Sequence, residues 1–569
     1  MSVEFSVADY LLTRLKELGL TKVFQVPGDY VSGFMDALEA FDGIDAVGEV
    51  FEMGAGYAAD GYARVHGLGA VSLQYGVGTF SAVNAIAGAF VERNPVVVIS
   101  ASPSTKNREQ AKTQNVLFHH STGNFEADRN VLEQVTVACE ILSDARQAPW
   151  QIDSALIAAI THRQPVYLEA WQDVWSLECA RPHGQLSPEP RPSNHDALQA
   201  LVANTVQRLS QAKKPLVLLG VEVMRYDLQG QVQWLIDGLG LPFSSTLDAK
   251  TVLDESQHAF IGTFAGPASR LETSKAVDEC DCILAIGVIF TDDYLDLLNT
   301  RFDSIIQVNC DLARTGPDYY PNVRLPDYVD ALLKALDLDG RFPRHDVPLG
   351  APQALLRTSN ADADADAALS YANFFDTLVE FAQEHRVWET STLILGESSS
   401  LYVSSNIQGM PRDSFLSDAI WGSLGHETGC ALGVALGSGR RPIVVAGDGG
   451  FMMVTQSLAA LARNKVNALV FVMSNQVYAI EQAFVDIDAF DPEGQFAPFD
   501  TLPSLNYPAL AEGYGALGYR IETVAQLQEL LPHLLALKDR PALVEVKISE
   551  KDLAIQIDRL ARPPKKPSK

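Results

Sequence analysis

The sequence predicts an α/β protein made of three doubly wound parallel-sheet domains. Three observations predict it. Short, unbroken apolar strands alternate with helical stretches along the 569 residues, the pattern of parallel sheets covered on both faces. Two breaks, at 180–193 and 340–368, divide that alternation into runs of similar size. At roughly 100–200 residues per domain, the length itself suggests about three domains. The expected boundaries are 1–185, 194–345 and 368–556.

Taken in order, Leu11, Leu12, Leu15 and Leu18 repeat at helical spacing, and Gly19 stops that helix. A strand, 22–26, runs into Pro27-Gly28-Asp29. Apolar strands follow at 70–74, 95–100 and 165–170, separated by alanine-rich helical stretches such as 54–65 and 83–91. The prolines and polar residues of 180–193 read as a linker. A second run has strands at 215–220, 280–287 and 304–310. The acidic Asn360-Ala-Asp-Ala-Asp-Ala-Asp-Ala stretch then reads as a solvated tether. A third run has strands at 442–446, 468–473 and 542–547, a helix at 451–463 and a last helix at 551–560. The tail ARPPKKPSK is expected to be disordered.

With 47% hydrophobic and 20% charged residues, the chain has the composition of a globular protein. A net charge of −28 argues against nucleic acid and anionic membrane surfaces as partners. The six cysteines form no CxxC pair, and Cys280 and Cys282 lie in an apolar segment, so core thiols in a reducing compartment are the simple reading. The segment MSVEFSVADY lacks the basic residues and apolar run of a signal peptide. No apolar stretch approaches the ~20 residues that span a bilayer. A cytoplasmic location is the expectation.

The chemistry starts at Gly447-Asp448-Gly449-Gly450, after the strand 442–446. Strand ends of a parallel sheet are where such folds bind ligands. Glycines let backbone amides approach a phosphate closely. Asp448 alone would repel that phosphate. A divalent cation between them resolves the conflict, with Asp448 and the side-chain oxygen of Asn475, 27 positions on, as hard ligands. Either motif alone is an ordinary strand-to-helix turn.

The pair resembles the GDG…NN motif of thiamin-diphosphate enzymes, with Ser474-Asn475 in place of Asn-Asn. By that resemblance the metal is Mg2+, and its ligands are Asp448, Asn475 and the backbone carbonyl of Val477, where the family usually has Gly. The segment Glu52-Met-Gly-Ala-Gly56-Tyr-Ala-Ala-Asp60-Gly-Tyr-Ala-Arg64 resembles the family's E-x-x-x-G-[YF]-x-A-[DE]-G-Y-A-R. Glu52 thus falls at the cofactor-activating glutamate, and Glu49 falls out of register. A carboxylate there makes a charge-assisted hydrogen bond to the aminopyrimidine, favouring the tautomer that removes the thiazolium proton. The cofactor-binding set implied is Glu52, Gly422, Leu424, Asp448, Gly449, Gly450, Asn475, Tyr478 and Ile480. Leu424 matches the apolar residue that bends the cofactor. In the family, the two halves of the site come from different subunits, which implies a homodimer or a dimer of dimers with active sites at the subunit interface. The implied fold is a thiamin-diphosphate-binding domain at each end and a Rossmann-like middle domain.

Within thiamin enzymes, four positions resemble the pyruvate/indolepyruvate decarboxylase family: Asp29, the pair His119-His120, and Glu481, six residues past Asn475. The acetolactate-synthase branch lacks this arrangement, and benzoylformate decarboxylases place their histidines differently. The resemblance implies non-oxidative decarboxylation of a 2-oxo acid to an aldehyde and carbon dioxide through a thiamin-diphosphate enamine. Glu52, Asp29, His119, His120 and Glu481 are then the catalytic residues. Clustered carboxyl and imidazole groups supply proton donors and acceptors near neutral pH. Ile480, Phe484 and Leu560 are expected to shape the substrate pocket. Phe484 stands where pyruvate-specific members have a smaller residue, and Leu560 where they carry a large aromatic lid. Larger apolar 2-oxo acids (branched, linear or aromatic) are the expected substrates, with a pyruvate-specific decarboxylase as the alternative.

Two rivals come from other classes. A nucleotide-dependent dehydrogenase needs a G-x-G-x-x-G loop after an early strand; Gly220 and Gly287 close strands without one. A non-catalytic cofactor-binding scaffold or regulator would be signalled by the loss of Glu52 or Asp448, and both are present.

Overall fold

The structure, a computed structural model, describes residues 5–188, 190–336 and 366–562. Residues 563–569 of the tail and 360–365 of the acidic tether lie outside the described residues. The chain forms two compact units. One comprises Met1–Pro190, Thr428–Arg440 and Val454–Ala468; the other comprises Arg191–Glu427, Arg441–Met453 and Leu469–Lys569.

The first unit carries one sheet of six parallel strands: β1 (Lys22–Gln25), β2 (Asp45–Gly48), β3 (Gly69–Ser72), β4 (Val96–Ser102), β5 (Ala138–Leu142) and β6 (Val166–Trp171). Their order is β2-β1-β3-β4-β6-β5. β4 is buried at every residue, as its unbroken apolar run requires. The first helix, Val7–Glu17, starts at a capping box in which Ser6 and Asp9 satisfy each other's backbone amides. The helix Glu52–His66 is buried from Gly54 to Arg64. Its Arg64 guanidinium is paired inside with Asp60 at 2.7 Å and Glu92 at 2.5 Å. Small residues let it pack closely. A Cβ on Gly61 would lie 2.4 Å from the Cys430 carbonyl oxygen, and one on Gly433, in the helix Ala431–Ser438, 1.8 Å from that of Ala58.

The second unit holds two sheets. The first has β7 (Pro215–Leu219), β8 (Phe243–Ser245), β9 (Phe260–Thr263), β10 (Cys282–Ile286), β11 (Ile305–Val308), β12 (Ala313–Thr315) and β13 (Asp318–Tyr319). The order is β13-β12-β11-β10-β7-β8-β9. It departs from the expected all-parallel sheet at one edge, where β12 and β13 run antiparallel. Gly316 (φ +54°) between them permits the tight return. Successive residues of β7 and β10 enter different cores: Val217, Leu219, Leu284 and Ile286 one, Leu216, Leu218, Ile283 and Ala285 the other. Both faces are therefore covered. At the switch point between these strands, a Cβ on Gly220 would lie 2.1 Å from the Gly287 carbonyl oxygen. The two strand ends thus approach closely where a dinucleotide-binding fold would carry its glycine-rich phosphate loop.

The other sheet has β14 (Ser391–Leu395), β15 (Phe415–Ser417), β16 (Arg441–Gly447), β17 (Leu469–Ser474), β18 (Leu517–Ile521) and β19 (Ala542–Lys547), in the order β15-β14-β16-β17-β19-β18. All pairs are parallel. Numbered within its own sheet, this is the same strand order as in the first unit.

Two helices differ from expectation. In place of one helix at 451–463 there are two, Asp448–Met453 and Ser457–Arg463, so the first begins at Asp448 itself. The β-branched pair Val454-Thr455 falls at the break. The last helix is Ile555–Ala561 and not 551–560. Lys551 and Asp552 are held elsewhere: Lys551 Nζ donates to the Ala489 carbonyl at 2.6 Å, and Asp552 accepts from the Tyr371 amide at 2.7 Å. None of the six cysteines is in a disulfide; Cys280, Cys282 and Cys430 are buried, while Cys139, Cys179 and Cys310 are only half-buried, so half of them are not core thiols. Among the described residues, no helix is long and apolar enough to cross a membrane.

Candidate active site

A cavity in the second unit opens at the carboxyl ends of β14, β16 and β17. Tyr371, Glu397, Ser398, Leu424, Gly447–Gly450, Asn475, Val477, Tyr478, Ile480 and Glu481 contribute to its wall. β16 ends at Gly447 and passes directly into the helix that starts with Asp448. Asp448 is buried, and its oxygens accept from the Gly449 amide at 3.0 Å and the Gln476 amide at 2.7 Å. Burial outweighs these bonds and pushes its carboxyl up to about 6. Asn475 is buried as well, and its Nδ2 has no hydrogen-bond partner. Tyr478 lies against Gly449, where a Cβ would come within 2.2 Å of its ring. The left-handed turn after Asn475 is taken by Gln476 (φ +62°), while Val477 forms an isolated bridge with Thr501. A side chain at 477 therefore costs no strain.

The first unit gathers the other set. Glu52 opens its helix half-buried; a Cβ on Gly78 would lie 3.6 Å from Glu52 Oε1 and 3.3 Å from Gln74 Cβ. Gln74 Nε2 donates to Asp29 Oδ1 at 2.6 Å. The rings of Tyr30, Tyr75 and His120 meet edge-on with centroids 5.0–6.2 Å apart, and His119 lies 6.3 Å from His120. The Tyr75 hydroxyl donates to the His119 carbonyl, and His120 takes a left-handed φ of +67°. Behind this loop, Asp128 accepts from the Gly76 amide at 2.7 Å and the Thr79 hydroxyl at 2.5 Å. Glu52, Asp29, His119 and His120 thus share one neighbourhood. Glu49 is separate and buried, accepting from the Val50 amide at 2.7 Å, and burial pushes it up to about 7.

Three family models for thiamine pyrophosphate enzymes match the chain: the N-terminal TPP binding domain at residues 5–122, the central domain at 202–336 and the C-terminal TPP binding domain at 398–546. An alpha-keto-acid decarboxylase of Mycobacterium leprae is 29% identical over 98% of this chain and 95% of its own. The chain belongs to the thiamin-diphosphate-dependent decarboxylases of the pyruvate/indolepyruvate decarboxylase-like family. It is a carboxy-lyase that converts 2-oxo acids to aldehydes and carbon dioxide. Its relatives include an alpha-keto-acid decarboxylase of Mycobacterium tuberculosis strain H37Rv, 29% identical over 95% of this chain and 94% of the other. A probable pyruvate decarboxylase of Schizosaccharomyces pombe is 26% identical over 97% and 94%.

Gly447, Gly449 and Gly450 contribute to the cavity wall, and the buried Asn475 Nδ2 there has no hydrogen-bond partner among the described residues, so the wall suits a polar ligand. No cluster of three His, Cys, Asp or Glu side chains fit for a metal occurs among the described residues; a site of one carboxylate, one amide and a carbonyl is of another kind. Of the three expected pocket residues, only Ile480 lines the cavity. Phe484 is 58% exposed in the single chain, and Leu560 packs, as Ile480 does, against the apolar core of the sheet β14–β19. Gly422 lies beside the cavity wall, 3.7 Å (as a Cβ position) from Glu397.

Glu397 is the residue that motif reasoning passes over. It follows β14 at Gly396-Glu397 and lines the cavity. Burial, with Asp293 and Glu481 adding repulsion, pushes its carboxyl up to about 8, against a hydrogen bond from Tyr402. Asp293 is itself pushed up to about 6 by burial and by Asp292. The available signal was positional: an apolar strand ending in Gly-Glu at the ligand-binding edge of a parallel sheet.

Proposed function

We propose that this decarboxylase acts on larger apolar 2-oxo acids, using Mg2+ to hold the diphosphate. The observation that carries the reading is the cavity that unites Asp448, Asn475, Val477, Leu424, Ile480 and Glu481. Asp448, the Asn475 side-chain oxygen and the Val477 carbonyl would hold the cation. Gly449, Gly450 and Tyr478 would receive the diphosphate, Leu424 would wedge the cofactor, and Glu52 would hold the proton of its aminopyrimidine ring. Thiamin diphosphate would supply a nucleophilic thiazolium carbon for the keto group and a cationic ring as the electron sink for decarboxylation. Glu481 favours departure of the substrate carboxylate, and Asp29 with His119 and His120 exchanges the protons that release the aldehyde. The first-unit set of one subunit completes the cavity of its partner, in a homodimer or a dimer of dimers.

Substrate breadth is supported by Leu560, which stands where a large aromatic lid would close the pocket, and by the aliphatic Ile480 on the cavity wall. An apolar pocket discriminates by only ~1–3 kcal/mol per methylene, so several chain lengths are accepted. The test is aldehyde production from pyruvate, 2-oxoisovalerate, 2-oxooctanoate and phenylpyruvate, with Glu52→Gln as control. Turnover of pyruvate alone supports the pyruvate-specific alternative. Cofactor retention without carbon dioxide release supports the scaffold. A fully active Glu52→Gln overturns the assignment of Glu52.

A further inference from the structure

We propose that Asp418 is a positioning residue that sets Leu424 against the cofactor by tying together the two ends of the loop 418–423. The inference rests on the reading of Leu424 as the residue that bends thiamin diphosphate. β15 ends at Ser417, and the Asp418 amide still donates to the Leu395 carbonyl at the end of β14, at 3.3 Å. Asp418 is thus fixed to a strand whose end borders the cavity. Its side chain is buried, and Oδ2 accepts from the Ser423 amide at 2.8 Å. Leu424, the next residue, contributes to the cavity wall.

Ser423 and Leu424 lie between two glycines in the left-handed region, Gly422 (φ +68°) and Gly425 (φ +90°), so the backbone there has little stiffness of its own. Its neighbours fix it on either side. Before Ser423, Gly422 abuts Glu397, whose Cγ and an oxygen each lie 3.7 Å from a Cβ position there. After Leu424, the His426 amide donates to the Ser423 carbonyl at 3.2 Å, and the Gly425 nitrogen lies 3.4 Å from a Cβ position at Gly450. The bond to Asp418 sets where the loop returns between these contacts. Without it the buried Ser423 amide loses its acceptor, and the loop must open for water to reach that group. Any shift of Ser423 carries Leu424 with it. A misplacement of about 1 Å in a group that orients reacting atoms costs up to about 100-fold.

The experiment is hydrogen–deuterium exchange at the thiazolium carbon of the bound cofactor, followed by NMR after acid quench. The enzyme is saturated with thiamin diphosphate and Mg2+, and cofactor retention is measured separately by equilibrium dialysis. In Asp418→Ala the exchange is expected to slow roughly 10- to 100-fold, with retention within a few-fold of wild type. Asp418→Asn, whose side-chain carbonyl can still accept from the Ser423 amide, restores the rate. Because Asp418 acts through Leu424, an enzyme with both Asp418→Ala and Leu424→Ala exchanges no more slowly than Leu424→Ala alone. An Asp418→Ala enzyme with a lowered Tm but wild-type exchange has lost only structural support, and that result overturns the proposal. Additive slowing in the double variant overturns it as well. If Asp418→Ala does not fold, Asp418→Ser, whose hydroxyl ends one atom short of the amide, is read in the same way. A Leu424→Ala enzyme that exchanges at the wild-type rate overturns the reading of Leu424 instead.

Discussion

Replacing Gly433 by Ala perturbs one of the closest backbone approaches in the first unit. A Cβ at 433 would lie 1.8 Å from the Ala58 carbonyl oxygen and 2.6 Å from the Tyr62 amide nitrogen. An ordinary carbon–oxygen contact is about 3.3–3.6 Å, so the helices Glu52–His66 and Ala431–Ser438 must part by about 1.5 Å. Two effects oppose each other. Alanine in a helix is worth up to ~1 kcal/mol over glycine. Overpacking costs roughly 1–3 kcal/mol or more, and here the obstacle is backbone that cannot rotate aside. Contacts around the buried Tyr57 and Tyr62 loosen as well. The steric term wins, for a net loss of about 2 kcal/mol and a fall in Tm of roughly 4–8 °C for a unit of this size. The assay is thermal unfolding by circular dichroism, with Gly437→Ala as the graded control. Its Cβ would first meet the side chains of Val65 at 2.8 Å and Tyr62 at 3.1 Å, which can yield. Because Glu52 heads the displaced helix, cofactor affinity falls with stability in Gly433→Ala. A Gly433→Ala protein as stable as the wild type, or more so, would refute the close packing and its link to Glu52.

Asp448→Ala is expected to weaken Mg2+-dependent cofactor retention by about 100-fold or more, measured by equilibrium dialysis; retention within a few-fold of wild type rules out Asp448 as a ligand. Glu49 is raised from 4.5 to about 7, so the fold holds its proton more tightly than the unfolded chain does. Its contribution to stability is full below 4.5 and lost as pH rises through about 7. Glu49→Gln therefore flattens the pH dependence of Tm across that window and leaves cofactor activation intact, the reverse of Glu52→Gln. Buried Arg108 donates to the Pro103 carbonyl at 3.0 Å and stacks on Phe125 and Trp171 at 4.7 Å each, pinning both ends of the loop that bears His119 and His120. Arg108→Met is expected to cost about 2 kcal/mol and to open that loop to limited proteolysis; an unchanged cleavage pattern counts against the pinning.

Legibility followed burial. β4, β16, β17 and β19 lie inside their sheets, have continuous apolar runs and were readable to within two residues. β2, β5, β15 and β18 are edge strands, short or half-exposed, and their sequences carry no such run. In the site, Asp448, Asn475 and Glu481 were readable because they sit at fixed spacings along one strand–helix–strand path. Glu397 was not, since Gly-Glu-Ser-Ser-Ser has no spacing to recognise and only the sheet order brings β14 beside β16. Phe484 and Leu560 were placed by analogy of position, but the direction of a helical side chain depends on the turn at which the helix begins, and the last helix begins at Ile555.

The shared strand order of the first and third sheets has a consequence for how the chain folds. In each, the third and fourth strands in sequence, β3 with β4 and β16 with β17, are neighbours joined by one short helical crossover. These pairings close short loops, so docking their strands costs little chain entropy. The same wiring thus provides two independent nuclei in one polypeptide, each surrounded later by its edge strands. Pulse-labelled hydrogen exchange is expected to show two early clusters of protected amides, centred on β4 and β17, before the exposed edges close.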